Sequence, residues 1–364
     1  MIRISSIPSN NRPVYGLGVF FCVSLLVACG GDEQKPTTTG EPVITPAAIL
    51  LAGSNGDDVM LLDQVKGEIQ KQFITKGSGG LSHPDSMVIG PDDALYIASG
   101  TDEATSAILR FDITTGAPLG KFASGGGMIR PYGLAFGPDG KLYVASFLTD
   151  QILRYDEKTG AFVDEFAKGN GMPDSLNGPD SLLFGPDGKL YVTTQGSVAV
   201  NGMATFPAGL KSQVLRYDIA TKAVEVYVTD VMPAADGAGY VSLLGIAFGP
   251  DCTAGVCDLF VSDYAGDVRR YDYTTGMLKA TLSTNYSGVT PSKNLVGGLA
   301  FGEAGQLFVA AFNADDTLKN PGAVLRFEGD SGNPLPAAGQ TGAIFVKEDP
   351  RLVRPIGIVA RPPY

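Results

Sequence analysis

The nine residues "FGPDGKLYV" occupy positions 136–144 and recur unchanged at 184–192. Repetition at an interval of about fifty residues marks a unit that cannot bury its own apolar face and stacks on copies of itself. Looser copies read "SMVIGPDDALYIAS" (86–99), "GIAFGPDCTAGVCDLFVSD" (245–263) and "GLAFGEAGQLFVAA" (298–311). In each, two apolar runs flank a turn. Pro presets φ, Asp bonds the local backbone and Gly accepts positive φ, which is the chemistry of a hairpin between two strands. The repeated Asp139, Lys141, Asp187 and Lys189 therefore belong to the scaffold.

A second phrase follows each time: "ILRFDITTG" (108–116), "ILRYDEKTG" (152–160), "VLRYDIATK" (214–222), "VRRYDYTTG" (268–276) and "VLRFEGDSG" (324–332). It predicts a third strand ending in a polar turn, with a short fourth strand beyond it. Each unit is then a four-stranded antiparallel meander, the size of one propeller blade. Five units are complete, and the ends supply the sixth. Residues 48–73 hold a second, third and fourth strand without a first, whereas "PIGIVARPP" (355–363) holds a first strand alone. The expected fold is all-β: a six-bladed β-propeller over 47–364, closed by pairing of the C-terminal strand with the N-terminal blade. Such closure removes the free sheet edge. The 48 Gly and 24 Pro of the 364 residues suit so many turns. A monomer is expected.

Upstream, Arg3 and Arg12 precede an apolar stretch that ends "LVAC" at Cys29. This resembles the lipobox of bacterial lipoproteins. The resemblance implies a signal peptide over 1–28, a lipid on Cys29 and an exported protein anchored in the cell envelope. Gly30 in place of Asp points to the outer membrane. The alternative is an ordinary secretory signal in which Cys29 falls by chance. Residues 29–46 have no apolar period and read as a flexible tether, so the membrane is met through the anchor alone. A formal charge of −11, with no basic cluster, argues against nucleic acid as a partner.

Function must lie where the copies differ. In a propeller, the loops entering the innermost strands and those between second and third strands gather at one mouth of the central channel. The entering loops read "SHPDS" (82–86), "IRPYG" (129–133), "NGPDS" (177–181), "VSLLG" (241–245), "LVGG" (295–298) and "VRPIG" (353–357). The mouth is expected to hold His83, Asp85, Arg130, Tyr132, Asp180, Asp263, Asn313 and Arg354, with Tyr132, Asp263, Asn313 and Arg354 binding ligand.

The architecture resembles NHL-repeat and gluconolactonase-like propellers over nearly all of the chain after residue 46, and "HPDSMVIGPDDALYIAS" resembles the latter family most. That resemblance implies a divalent cation, Ca²⁺, Mg²⁺ or Mn²⁺, held by Asp85 and Asp180. Ser86 and Ser181 stand where the family has Gly, and its Glu and Asn-Gly motifs have no counterpart here. The two aspartates otherwise bond backbone N–H groups of the inner turns. His83, the one imidazole of the chain, is either a general base beside Asp85 or a turn residue. Arg130 and Arg354 either clamp an anionic substrate or bond loop carbonyls. Cys252 and Cys257, five residues apart in a chain read as exported, pair most simply as a disulfide.

Two functions follow. One is a binding or interaction module whose mouth, with the insertions at 195–212 and 229–242, takes a small molecule or an envelope protein. The other is a metal-dependent hydrolase or lyase acting on a small lactone, ester or sugar acid, with His83 and Arg130 as its catalytic pair.

Overall fold

A computed structural model describes residues 47–228, 231–250, 252, 257–314 and 320–363. The signal and tether expected over 1–46, Cys29 included, lie outside the described residues. The chain forms six four-stranded antiparallel sheets, one per repeat. Blade 1 runs Pro355–Arg361, Ala48–Gly53, Asp58–Asp63, Ile69–Ile74 from the axis outward. The inner strands of blades 2 to 6 are Met87–Ile89, Pro131–Phe136, Pro179–Phe184, Leu243–Phe248 and Asn294–Phe301. The expected closure is present. Leu50 pairs with Val359 and Leu51 with Ile358, so both extremities of the propeller belong to one sheet.

The core lies between blades. Along Ala48–Gly53, Leu50 and Ala52 pack with Leu95, Leu109 and Phe111 of blade 2. Their alternates Ile49 and Leu51 pack with Phe308, Val324 and Phe345 of blade 6. A strand buried on both faces must be apolar throughout, which is why "AILLAG" shows no alternation. Each such aliphatic side chain contributes about 1.5–3 kcal/mol on burial.

The duplicated phrase has a specific structural reason. Its tyrosine is buried in the second strand, and its hydroxyl donates to the turn aspartate four residues back. The pairs are Tyr96 to Asp92 at 3.1 Å, Tyr143 to Asp139 at 3.1 Å and Tyr191 to Asp187 at 3.2 Å. Without that carboxylate, the buried hydroxyl loses the acceptor of its proton. In the second phrase Asp112, Asp156, Asp218 and Asp272 each accept two backbone N–H groups and a threonine hydroxyl of the following turn. Those bonds hold all four carboxyls below the usual carboxylate range. The glycine closing this turn has a further task. A Cβ on Gly160 (φ 69°) would fall on the Phe122 carbonyl oxygen of the neighbouring blade, so this turn sets how closely blades approach.

One blade departs from the pattern. The insertion at 195–212 forms its own hairpin, Val198–Val200 with Met203–Thr205, beside blade 4. It is tied to blade 3, where Asp150 accepts from the N–H groups of Gly178 and Ala199 at 2.9 and 2.8 Å. The expected disulfide joins Cys252 and Cys257.

Candidate ligand-binding site at the channel mouth

Five of the six entering loops are pinned by the residue that precedes the third strand of the blade before. The N–H of His83 donates to Asp57 Oδ1 at 2.8 Å, that of Arg130 to Ser106 Oγ at 2.9 Å, and that of Gly178 to Asp150 Oδ1. The Leu243 N–H donates to Ser212 Oγ at 2.7 Å, and the Arg354 N–H to the Asn320 carbonyl at 2.9 Å. The pinned residue is left-handed before each proline: φ is 44° at His83, 53° at Arg130, 64° at Gly178 and 47° at Arg354. For a side chain larger than glycine this costs roughly 1–3 kcal/mol and persists only where the surroundings enforce it.

Two residues further on, the inner strands bulge. Register slips by one residue between Pro131 and Leu134, Pro179 and Leu182, Leu243 and Ile246, and Val296 and Leu299. Blade 1 slips opposite Leu51–Gly53. A bulge re-aims a side chain out of the alternating pattern. Here the second bulge residue is Gly133, Ser181, Gly245, Gly298 or Gly357, where neighbouring strands crowd together. A Cβ on Gly133 would strike the Asp180 carbonyl, and one on Gly357 the Asp85 carbonyl. The residue before it turns towards the axis. The six blades thus place six residues of five kinds in a ring: Asp85, Tyr132, Asp180, Leu244, Gly297 and Ile356. Five of them, all but Gly297, line a cavity of about 690 Å³.

Arg130 and Arg354 stand above this floor. The Arg354 guanidinium donates to Ser54 Oγ at 3.1 Å and reaches Tyr264 Oη at 3.5 Å. Arg130 lies over the Tyr132 ring, 5.5 Å from its centroid, and Tyr132 stacks on Phe147 at 4.6 Å. Gln195 Nε2 donates to Asp180 Oδ2 at 2.5 Å. The walls come from both insertions, through Phe206, Leu210 and Tyr240.

Burial pushes the Asp85 carboxyl up to about 6, against the pull of Arg354 and Arg130. Asp180 is pushed well above the usual range, first by burial and then by the charge of Asp85, with Gln195 and Arg130 opposing. Burial likewise raises the Tyr132 phenol. The structure thus brings together Asp85, Arg130, Tyr132, Asp180 and Arg354.

The other three expected residues do not join them. His83 is half exposed and turns away, its Nδ1 3.2 Å from Ser82 Oγ and 3.8 Å from Asp57 Oδ1. Asp263 is fully buried in blade 5. Its Oδ1 accepts from the Ser242 and Ala265 N–H groups at 2.8 and 3.2 Å, and its Oδ2 from Arg269 at 3.0 Å. Asn313 ends a second strand opposite Asn294, outside the cavity lining. The reading of all eight as one mouth cluster is corrected accordingly. Gln195, Leu244, Tyr240, Tyr264 and Ile356 are cavity residues that the motifs did not single out; aligning the bulge doublets would have found Leu244 and Ile356.

The implied cation can be set against this donor set. No third His, Cys, Asp or Glu joins Asp85 and Asp180 among the described residues, whereas Ca²⁺ takes six to eight oxygens. The other charges bearing on the pair are guanidiniums, which compete for the same lone pairs. The fit is poor.

Fold and site together define a six-bladed β-propeller with a walled polar cavity at its mouth. No protein-family model and no curated protein matches the sequence. Solved structures with a similar fold include a nidogen/laminin complex, at a TM-score of 0.54 and 11% identity over 86% of this chain and 98% of that one. A protein of unknown function from Bacteroides caccae gives 0.55 and 14% over 87% and 99%. A streptogramin B lyase gives 0.45 and 14% over 79% and 84%. Identities this low speak for the fold alone.

Proposed function

We propose that the protein is a ligand-binding module of the bacterial cell envelope, lipid-anchored through Cys29, exported to the outer membrane and acting as a monomer through its mouth face. The observation that carries this reading is the convergence of Asp85, Arg130, Tyr132, Asp180 and Arg354 on one cavity with apolar walls. Few polar groups at fixed positions within an apolar enclosure is the usual construction of a small-molecule site. The left-handed backbone at Arg130 and Arg354 agrees with it, since strain is retained where side chains must point a particular way. The chain enters the propeller at Ala48, which pairs with Arg361 at the far end of its blade from Arg354.

The test is retention of small molecules. Full-chain protein is incubated with a cell-envelope extract, washed, and its retained compounds identified by mass spectrometry, with the Arg130→Ala/Asp180→Asn double variant alongside. A compound retained by the parent and lost in the variant supports the reading. Equal retention by both proteins contradicts it.

The raised Asp85–Asp180 pair favours a second reading, a hydrolase or lyase acting on a small lactone, ester or sugar acid. Two carboxyls driven apart in proton affinity can serve as acid and base. Turnover of a lactone and ester panel, abolished by Asp180→Asn, would rank it first; no turnover sets it aside.

A further inference from the structure

Resting on the ligand-binding reading above, we propose that the mouth cavity takes a small monocarboxylate with a compact, aryl-sized apolar body. The ring at its floor is divided. Blades 2, 3 and 4, in succession, contribute Asp85, Tyr132 and Asp180; blades 5, 6 and 1 contribute Leu244, Gly297 and Ile356. One semicircle offers hydrogen bonds and the other offers none. Gly297 leaves a gap between the two branched side chains, and Leu244 and Ile356 pack with Phe312 behind it, with Tyr264 and Leu295 against them. An apolar body fits that half, and a polar head must face the other.

The head is chosen by the guanidiniums. Arg354 is already engaged with Ser54 and Tyr264. Arg130 makes no side-chain hydrogen bond or ion pair among the described residues, although Asp85 and Asp180 share its cavity. It is held over Tyr132 by a pinned, left-handed backbone. A walled guanidinium with its donors uncommitted is suited to a planar oxyanion, which it meets with two parallel N–H bonds. Two guanidiniums, Arg130 and Arg354, face two carboxyls whose protonated forms burial favours, so the cavity balances one further negative charge where one of the pair holds its proton. A phosphate dianion would leave a charge facing Asp85 without a partner, so a monocarboxylate fits better.

The experiment uses four probes on the full-chain protein by isothermal titration calorimetry at pH 7.5: 3-phenylpropionate, 3-phenyl-1-propanol, 3-phenylpropylamine and acetate. The first three share one body and differ in the head; acetate keeps the head and loses the body. Phenylpropionate is expected to bind about tenfold or more tightly than the alcohol, a difference of one charge-assisted contact. The amine and acetate should give no measurable heat of binding. Arg130→Gln should reduce the carboxylate to the affinity that the alcohol shows for the same variant; Arg130→Lys should restore part of the preference. The proposal is overturned if the amine binds most tightly, if the preference survives Arg130→Gln, or if none of the four binds. Any of these outcomes leaves the extract-retention test of the broader reading to be decided on its own result.

Discussion

Asp156 and Asp180 belong to neighbouring blades and have opposite fates. Asp156 sits in a copied turn at a blade's edge, accepts three hydrogen bonds from the turn it closes, and is held below the usual carboxylate range. Asp180 sits at a bulge where the copies diverge, accepts one bond from Gln195, and is driven well above that range by burial. The same contrast separates Asp112, Asp218 and Asp272 from Asp85. Carboxylates in the repeated phrases are satisfied and stabilise the fold. Those in the ring are carboxyls whose ionised form burial penalises, a pattern common at functional sites.

Substitutions can break or sharpen that contrast. The largest effect is expected in the scaffold. Gly160→Val puts a branched side chain at φ 69° against the Phe122 carbonyl, and should cost on the order of 3–4 kcal/mol by urea denaturation. A cost under 1 kcal/mol would mean that the turns do not set blade spacing.

The ring should behave in the opposite sense. The Asp85 carboxyl is raised to about 6 in the folded protein, so folding favours its protonated form. The stability this supplies is complete below the unfolded value near 4 and is lost as pH rises through about 6. Asp85→Asn should therefore stabilise the protein by roughly 2–3 kcal/mol at pH 8 and by almost nothing at pH 3.5. A destabilised variant at pH 8 would show that Asp85 is a structural residue after all.

Next in size, Asp156→Ala removes an acceptor from two backbone N–H groups and the Thr159 hydroxyl. It should lower stability at pH 7, read as a drop in the urea midpoint. Because that carboxyl is held low, the difference from the parent should fade only as pH drops below about 4.

The smallest effect concerns the cation. Millimolar Ca²⁺, Mg²⁺, Mn²⁺ or EDTA should move the melting temperature by less than about 1 °C, since a ligand stabilises only what it binds. A clear rise with one of the cations would revive a metal on Asp85 and Asp180.

The fold was legible because each hairpin announces itself locally. Proline, aspartate and glycine at fixed offsets give the turns, and the unmatched strands in residues 48–73 and 355–363 imply the closure. The site was legible in part. Alignment of the entering loops pointed to Asp85, Tyr132 and Asp180 because the proline–X–glycine or serine spacing recurs, and to Arg130 and Arg354 because both precede that proline. Asp263 misled because its partner Arg269 lies six residues on, across a tight turn, and a pairing made by side-chain direction leaves no motif. His83 occupies the same loop position as Arg130, yet its ring faces Ser82 and Asp57. Leu244 and Ile356 were passed over because a search for chemistry skips aliphatic residues, although half of the ring's character comes from them.

The central claim, that ring carboxyls and turn carboxyls are different electrostatic species, is tested most directly by an NMR pH titration of the aspartate carboxyl carbons in the folded protein. Asp85 should titrate at about 6 and Asp180 well above the usual range, with Asp112, Asp156, Asp218 and Asp272 all below 3.8. If Asp85 and Asp180 titrate together with the turn aspartates, the mouth holds no such pair, and the site proposed around it is contradicted.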